Sequence, residues 1–337
     1  MHTAQWDSSV TLRGKNITVI GAGCSAAQLV PQLLTSSEIQ PRSVAQIIRS
    51  PHWVTPDIYS EIRHFWNLCM PVIVSCTLGA WMARSVLFVL YELLYFLFLR
   101  PFTNGSRFQK RFQRRLTSYI DRKVPEEYKS MLTPRYTVGC KRLVLDPGWY
   151  DTLKDPKLSL HTSRLKRFED SCLVLGTGRK ETKVFTDVLL LATGYSPTSN
   201  FLSSISITGR DGIDLQNIWN ARGGPQAYLG LAVDQFPNLF FVSGPNSSVS
   251  HGSVMAGIEN SVNYIMQILS PVLKGQVDSL EVKKDACCTW TQKVQLASND
   301  SIWVKGGCSN WYIDGRGWNS MIYPYVPSYY CIQKAQF

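Results

Sequence analysis

Glycine between a strand and a helix leaves backbone N–H groups bare, and bare N–H groups at a helix start bind anions. Gly21-Ala22-Gly23-Cys24-Ser25-Ala26 has that composition. Gly21 permits a tight turn, and Gly23 lets the backbone approach a pyrophosphate. Ala26 is small where the helix must pack closely on the strand, and Ala27 and Gln28 carry the chain into that helix. Roughly twenty or more residues further on, an NAD site needs an acid for the ribose hydroxyls. Arg49 and Ser50 stand there instead. A guanidinium holds a 2′-phosphate bidentately where a carboxylate would repel it, so the pattern selects NADPH over NADH. A solvated arginine at a strand end is the plainer alternative.

The flanking residues supply the elements these groups need. Lys15–Ile20 is a short β-branched run that reads as a buried strand, and Ala27–Leu34 reads as the following helix. Val44–Ile48 reads as a second strand, delivering Arg49 and Ser50 at its end. Phe185–Tyr195 reads as a buried strand ending in a glycine turn. Pro237–Val242 reads as a further strand, with a turn to Ser247 and a helix over about Ser253–Leu269. Gly176-Thr177-Gly178 and Gly306-Gly307 lack a strand–turn–helix setting and read as plain turns.

At 337 residues the chain can form two or three folded units. Its net charge of +11 is scattered, with the densest run at Arg107–Leu116. Phe108, Phe112, Leu116 and Ile120 fall at helical spacing, which predicts an amphipathic helix with a basic, chiefly solvated face. An acidic membrane surface or the anionic cofactors could also use that face. Aromatic-interleaved nucleic-acid motifs are absent, which removes that class. The nine cysteines are odd in number and contain no C-x-x-C pair. That argues for a reducing, cytoplasmic setting and against a disulfide scaffold or a structural metal.

Val72–Leu99 is almost wholly apolar and long enough to cross a bilayer, with Arg84 and Glu92 inside it. Each charge costs about 2.5–3.5 kcal/mol near the membrane centre, which roughly cancels the gain from the apolar residues. Thr77, Arg84, Ser85 and Glu92 recur about every seven residues and so share one helix face. The stripe favours helices packed on the protein over membrane contact.

These motifs, in this order, resemble those of flavin-dependent monooxygenases of the Baeyer–Villiger type. His2, Trp6 and Asp7 match the second half of the family's F-x-G-x-x-x-H-x-x-x-W-[P/D] signature. Lys141-Arg142 resembles the K-R pair found where the nicotinamide domain resumes after its insert. Asp187 to Tyr195 resembles D-x-x-x-x-A-T-G-[YF], where the chain passes back to the flavin module. Trp311-Tyr312 followed by Tyr323-Pro324 resembles the S-W-Y…Y-P region.

The resemblance implies an α/β chain: a Rossmann-like NADPH domain with a helical insert, plus the C-terminal part of a split FAD-binding domain. Its divisions would be a linker at 1–14, NADPH domain at 15–56 and 135–194, insert at 57–134, and flavin and substrate part at 195–337. It implies FAD and NADPH as cofactors and O2 as co-substrate. The reaction would oxygenate a ketone or a soft heteroatom, in specialised metabolism of polyketide-like ketones. Lys141 would help bind the 2′-phosphate, and Arg142 would be the catalytic residue, facing the flavin and stabilising an anionic flavin peroxide. Val254 would touch the flavin ring, and Trp311 would line the nicotinamide and substrate pocket. The turn residue His251 reads as structural.

One departure is large. The family's first glycine fingerprint, which binds the ADP half of FAD, has no counterpart in this sequence. Three explanations follow: a shortened gene product, which the cut through the His2–Asp7 signature favours, a degenerate paralogue, or a fragment needing a complementing N-terminal flavin half. The alternative function is then a non-catalytic NADPH-binding or interaction protein.

Overall fold

The computed structural model describes residues 1–94, 107–178, 180–195, 202, 205–248 and 253–325. They divide into two compact units. The first comprises Met1–Pro71, Lys110–Val138 and Leu143–Tyr195; the second comprises Val72–Gln109, Gly139–Arg142 and Ser196–Phe337.

The first unit is built on a parallel sheet. β1 (Asn16–Ile20) runs through the glycine turn into α1 (Cys24–Thr35), and β2 (Ser43–Ile47) returns beside β1. β3 (Val54–Pro56) leads to α2 (Ile58–Ile73) and, in the second unit, α3 (Thr77–Leu94). α4 (Arg107–Lys123) and α5 (Glu126–Leu132) follow, then β4 (Val144–Asp146), which pairs with β3, and the short α6 (Trp149–Thr152). β5 (Leu158–His161) adds to β2, and β6 (Arg164–Glu169), β7 (Cys172–Thr177) and β8 (Lys180–Phe185) form an antiparallel sheet. β9 (Val188–Leu191) completes the main sheet in the order β5-β2-β1-β9.

The sheet forms here because its strands are apolar on both faces, as a sheet covered on both sides requires. Ile17, Val19, Val44 and Leu190 are at most 1% exposed. Ala45 and Ile47 on β2 pack with Leu173, Leu175 and Val184, which buries the antiparallel sheet's inner face on the parallel one. Gly178, at positive φ, lies in the β7–β8 turn as the sequence suggests. Phe185 closes β8, and Thr186–Asp187 turn the corner into β9, so the single strand and glycine turn expected over Phe185–Tyr195 begin with the end of one strand and continue in a second.

In the second unit, α7 (Leu215–Ala221), α8 (Val254–Leu273), α9 (Lys284–Asn299) and α10 (Ile302–Lys305) pack around buried clusters. One gathers Leu229, Leu231, Tyr264, Ile265, Trp290, Val294 and Tyr323, another centres on Trp219, Val233 and Phe241, and a third joins Trp303 of α10 to Tyr312 and Ile322. α8 starts beside the expected position, with Ser253 Oγ accepting from the Ala256 N–H.

Three expectations need correction. Pro237–Val242 forms no strand: Asn238 adopts positive φ, Ser243 and Asn246 do so in the turn beyond, and only single bonds such as Phe241 N–H to Leu231 O hold the run. The apolar stretch from Val72 is two helices, because the chain turns at 74–76, where Ser75 Oγ donates to Val72 O. No described helix is long and apolar enough to cross a membrane, and residues 95–99 lie outside the described residues. Thirdly, Cys140 and Cys308 are disulfide-bonded across 168 residues of sequence. Cysteine parity missed this because the remaining described cysteines are free, so the described residues hold a single pair rather than a scaffold.

Candidate dinucleotide-binding site

β1 ends where α1 begins, and Gly21 is the hinge. Its φ of 141° is open to glycine, and a Cβ there would lie 2.3 Å from the Ala192 carbonyl oxygen. Gly21 N–H donates to Ile47 O and Ala192 N–H to Ile20 O, so the turn is clasped between the ends of β2 and β9. The sheet order reverses at β1, with β2 on one side and β9 on the other. Open α/β sheets bind ligands at such a switch point, beyond the carboxyl ends of the strands.

Gly23 is the N-cap of α1, with no side-chain cap bond and no acid in the helix's first turn. A Cβ added at Gly23 would meet nothing within 4 Å. Open space above an uncapped helix start is the shape a pyrophosphate needs, and the residues present fit that group. Ala22, Ala26 and Ala27 are buried against the sheet, while Cys24, Ser25 and Gln28 face outward. Arg49 is exposed two residues past Ile47, the register partner of Ile20, with Ser50 beside it. Arg49 therefore shares the sheet edge with the glycine turn.

A polar brace that sequence reading missed supports this turn. Gln46, fully buried on β2, donates through Nε2 to Gly21 O at 2.9 Å. Its Oε1 accepts from Trp149 Nε1, also at 2.9 Å. The signal was an amide inside the apolar run Val44–Ile48. Nearby, Tyr119 OH donates to Asp146 Oδ2 at 2.7 Å, and Asp146 Oδ1 accepts from the Gly148 and Tyr150 N–H groups. Burial, with Asp146 beside it, pushes the Tyr119 hydroxyl above its usual range.

Met1–Thr3 runs parallel along β9: Met1 N donates to Leu189 O, Leu191 N–H to Met1 O, and Thr3 N–H to Leu191 O. The His2 ring meets Tyr195 edge-on at 5.9 Å, and Trp6 is exposed. The His2–Asp7 and Asp187–Tyr195 motifs thus adjoin in the first unit.

The other expected residues belong to the second unit. Lys141 is partly buried and Arg142 exposed in the segment Gly139–Arg142. Val254 is exposed as the first residue of α8, and Trp311 is exposed with its ring 4.5 Å from that of Tyr312. Tyr323 is core, packed against Trp290. His251 lies outside the described residues. Among the described residues there is no His/Cys/Asp/Glu group able to hold a metal.

The parallel sheet, switch-point glycine turn and uncapped helix start define an α/β unit of Rossmann type. No protein-family model matches the chain. A Baeyer-Villiger monooxygenase of Pseudomonas aeruginosa is 31% identical over 332 residues, 96% of this chain and 58% of the relative. An FAD-binding monooxygenase of Aspergillus niger, ktnD, is 29% identical over 353 residues, 100% of this chain and 54% of the relative. A solved oxidized steroid monooxygenase bound to NADP matches at TM-score 0.78 and 21% identity, over 100% of this chain and 67% of its own; it shows the shared fold. Over almost its whole length, the chain is homologous to Baeyer–Villiger and other FAD-binding monooxygenases. It spans somewhat over half the length of these curated relatives.

Proposed function

We propose that this chain carries the NADPH-binding and flavin-facing parts of a flavin-dependent monooxygenase that oxygenates a ketone or a soft heteroatom with O2. The observation that carries the reading is the open, uncapped helix start at Gly23 beside Arg49, in a chain homologous to such enzymes. The α1 N–H groups take the pyrophosphate, and Arg49 with Ser50 takes the 2′-phosphate; Lys141 is carried into the proposal by its K-R motif alone. Arg142 places a permanent positive charge where negative charge develops on oxygen. Val254 provides apolar contact at the flavin, and Trp311 lines the substrate side. FAD, when bound, supplies the activation of oxygen. The described residues offer one glycine turn of this kind, which the nicotinamide nucleotide occupies. They hold no second one for the ADP half of FAD.

The proposed divisions are a linker at 1–14, a nucleotide domain at 15–56 and 135–194, a helical insert at 57–134, and a flavin and substrate part from 195. The A. niger relative is named an FAD-binding monooxygenase; a role in specialised metabolism, on a polyketide-like ketone, is part of the proposal. A complementing N-terminal flavin half, a cytoplasmic setting and membrane contact through 72–99 stay within the proposal.

A second reading is a non-catalytic NADPH-binding protein. Purified protein separates the two. The first expects flavin absorbance, NADPH oxidation in air and one oxygen atom gained by a ketone. A colourless protein that binds NADPH supports the second. Failure to bind NADPH sinks both.

A further inference from the structure

Every residue of the brace under the glycine turn belongs to the first unit. Gln46 is fully buried on β2 among Val44, Ala45, Ile47 and Ile48, where an apolar side chain would spare the desolvation of an amide. What the amide adds is direction. Its Nε2 donates to Gly21 O and its Oε1 accepts from Trp149 Nε1. Trp149, also fully buried, is held in turn: it begins α6, whose start is fastened by Asp146 Oδ1 to the Gly148 and Tyr150 N–H groups, and Tyr119 OH donates to Asp146 Oδ2. This run of hydrogen bonds fixes the Gln46 amide from the side away from Gly21.

The bond to Gly21 O decides where the next N–H points. The Gly21–Ala22 peptide is trans and planar, so its carbonyl and its N–H point in opposite directions. With the carbonyl drawn toward Gln46, the Ala22 N–H is turned away from it. That N–H, like those of Gly23 and Cys24, has no hydrogen-bond partner among the described residues, although Ala22 is only 6% exposed. A buried backbone donor is nearly always paired, so this one is kept for an acceptor that the chain itself does not supply.

We propose that Gln46 is a positioning residue for the dinucleotide: it turns the Gly21–Ala22 peptide so that the Ala22 N–H reaches the pyrophosphate, and Trp149 fixes its amide in that task. The proposal rests on the nucleotide reading above. Gln46 acts through the backbone and touches no ligand itself, so only ligands that carry a pyrophosphate feel its loss. The 2′-phosphate, assigned to Arg49 and Ser50, does not depend on it.

The test compares NADP+ with adenosine 2′-monophosphate, which has the 2′-phosphate but no pyrophosphate. Dissociation constants for both are measured on wild-type, Gln46→Leu and Trp149→Phe protein. Gln46→Leu removes the donor, so NADP+ should bind about tenfold more weakly, the worth of one charge-assisted hydrogen bond, and the monophosphate less than about twofold. Trp149→Phe leaves the Gly21 bond but frees the amide to turn, so a loss of about threefold is expected for NADP+ alone. General loss of structure would weaken both ligands alike. Hydrogen exchange adds a readout that needs no variant: NADP+ should protect the Ala22 amide of wild-type protein, and the monophosphate should not. If Gln46→Leu does not fold, Trp149→Phe and the wild-type exchange decide. The proposal is overturned if the variants keep the wild-type ratio of the two constants. It also fails if bound NADP+ leaves the Ala22 amide exchanging freely; the nucleotide reading survives either result. Failure of wild-type protein to bind NADP+ would instead reject that reading, and the positioning role with it.

Discussion

At the residue scale, two arginines carry different kinds of argument. Arg49 is exposed at the edge of the sheet, so its charge serves a ligand better than the fold. Arg49→Ala should weaken NADPH binding by about 1.5–3 kcal/mol, the worth of a hydrogen bond to a charged group, and leave NADH binding unchanged. Calorimetric titration of both nucleotides checks this, and equal losses would remove Arg49 from the site. Arg222 is a structural cation. Its two guanidinium nitrogens hold Asp234 Oδ1 and Oδ2 at 2.6 and 2.8 Å, and Asp234 is 1% exposed. Burial alone would raise the Asp234 pKa, but the Arg222 bonds and charge outweigh it and hold it below the usual carboxylate range. A depressed folded pKa contributes stability above the unfolded value near ~3.9, lost as pH falls through the folded value. Arg222→Met leaves the burial without the partner. It should cost about 3–5 kcal/mol at neutral pH and reverse the sign, recovering stability as pH falls. Urea titrations across pH read both effects. Burial, with Asp234 nearby, also pushes the Cys287 thiol up to about 12, so it should react with alkylating reagents far more slowly than exposed Cys24.

At the scale of elements, the glycine turn was legible because its chemistry is local. Gly21, Gly23 and Ala26 each serve one geometric need, and β1, the turn and α1 followed from their order alone. The brace under the turn was not legible, because Gln46 and Trp149 are 103 residues apart in sequence. Gln46→Leu keeps the volume but orphans Gly21 O and Trp149 Nε1. It should cost about 1–3 kcal/mol per orphaned group in urea unfolding, where a neutral result would show that water or a shifted neighbour replaces the amide. Gly21→Ala should be worse, since it adds a backbone clash to forbidden φ. Pro237–Val242 shows the opposite failure. The contiguous apolar run Leu239–Val242 there buries Phe241 without a ladder, because extended chain can pack by side chains alone and an apolar run reports burial rather than pairing. The Cys140–Cys308 bond was likewise not legible, since among nine cysteines one does not announce its partner 168 residues away.

At the scale of the whole molecule, exposed apolar surface concentrates on the insert. Val72, Leu78, Trp81, Val86 and Val89 are each more than 60% exposed. Side chains that pack on nothing contribute nothing to folding, so L78S/W81S should shift the chain's stability by less than ~0.5 kcal/mol. Thermal melts check this, and a large loss would mean that these residues are covered in solution. Arg84, in the polar stripe of α3, instead pairs with Glu259 on α8.

Both units are assembled from three separate stretches of chain. During synthesis, β1 and β2 must wait for β9, which leaves the ribosome only with residue 191, before the sheet closes. The greasy helix at 77–94 emerges about a hundred residues before Ser196, where the largest stretch of its own unit begins. Nascent chains of this protein should therefore bind chaperones of hydrophobic segments early and hold them until translation is well past residue 196.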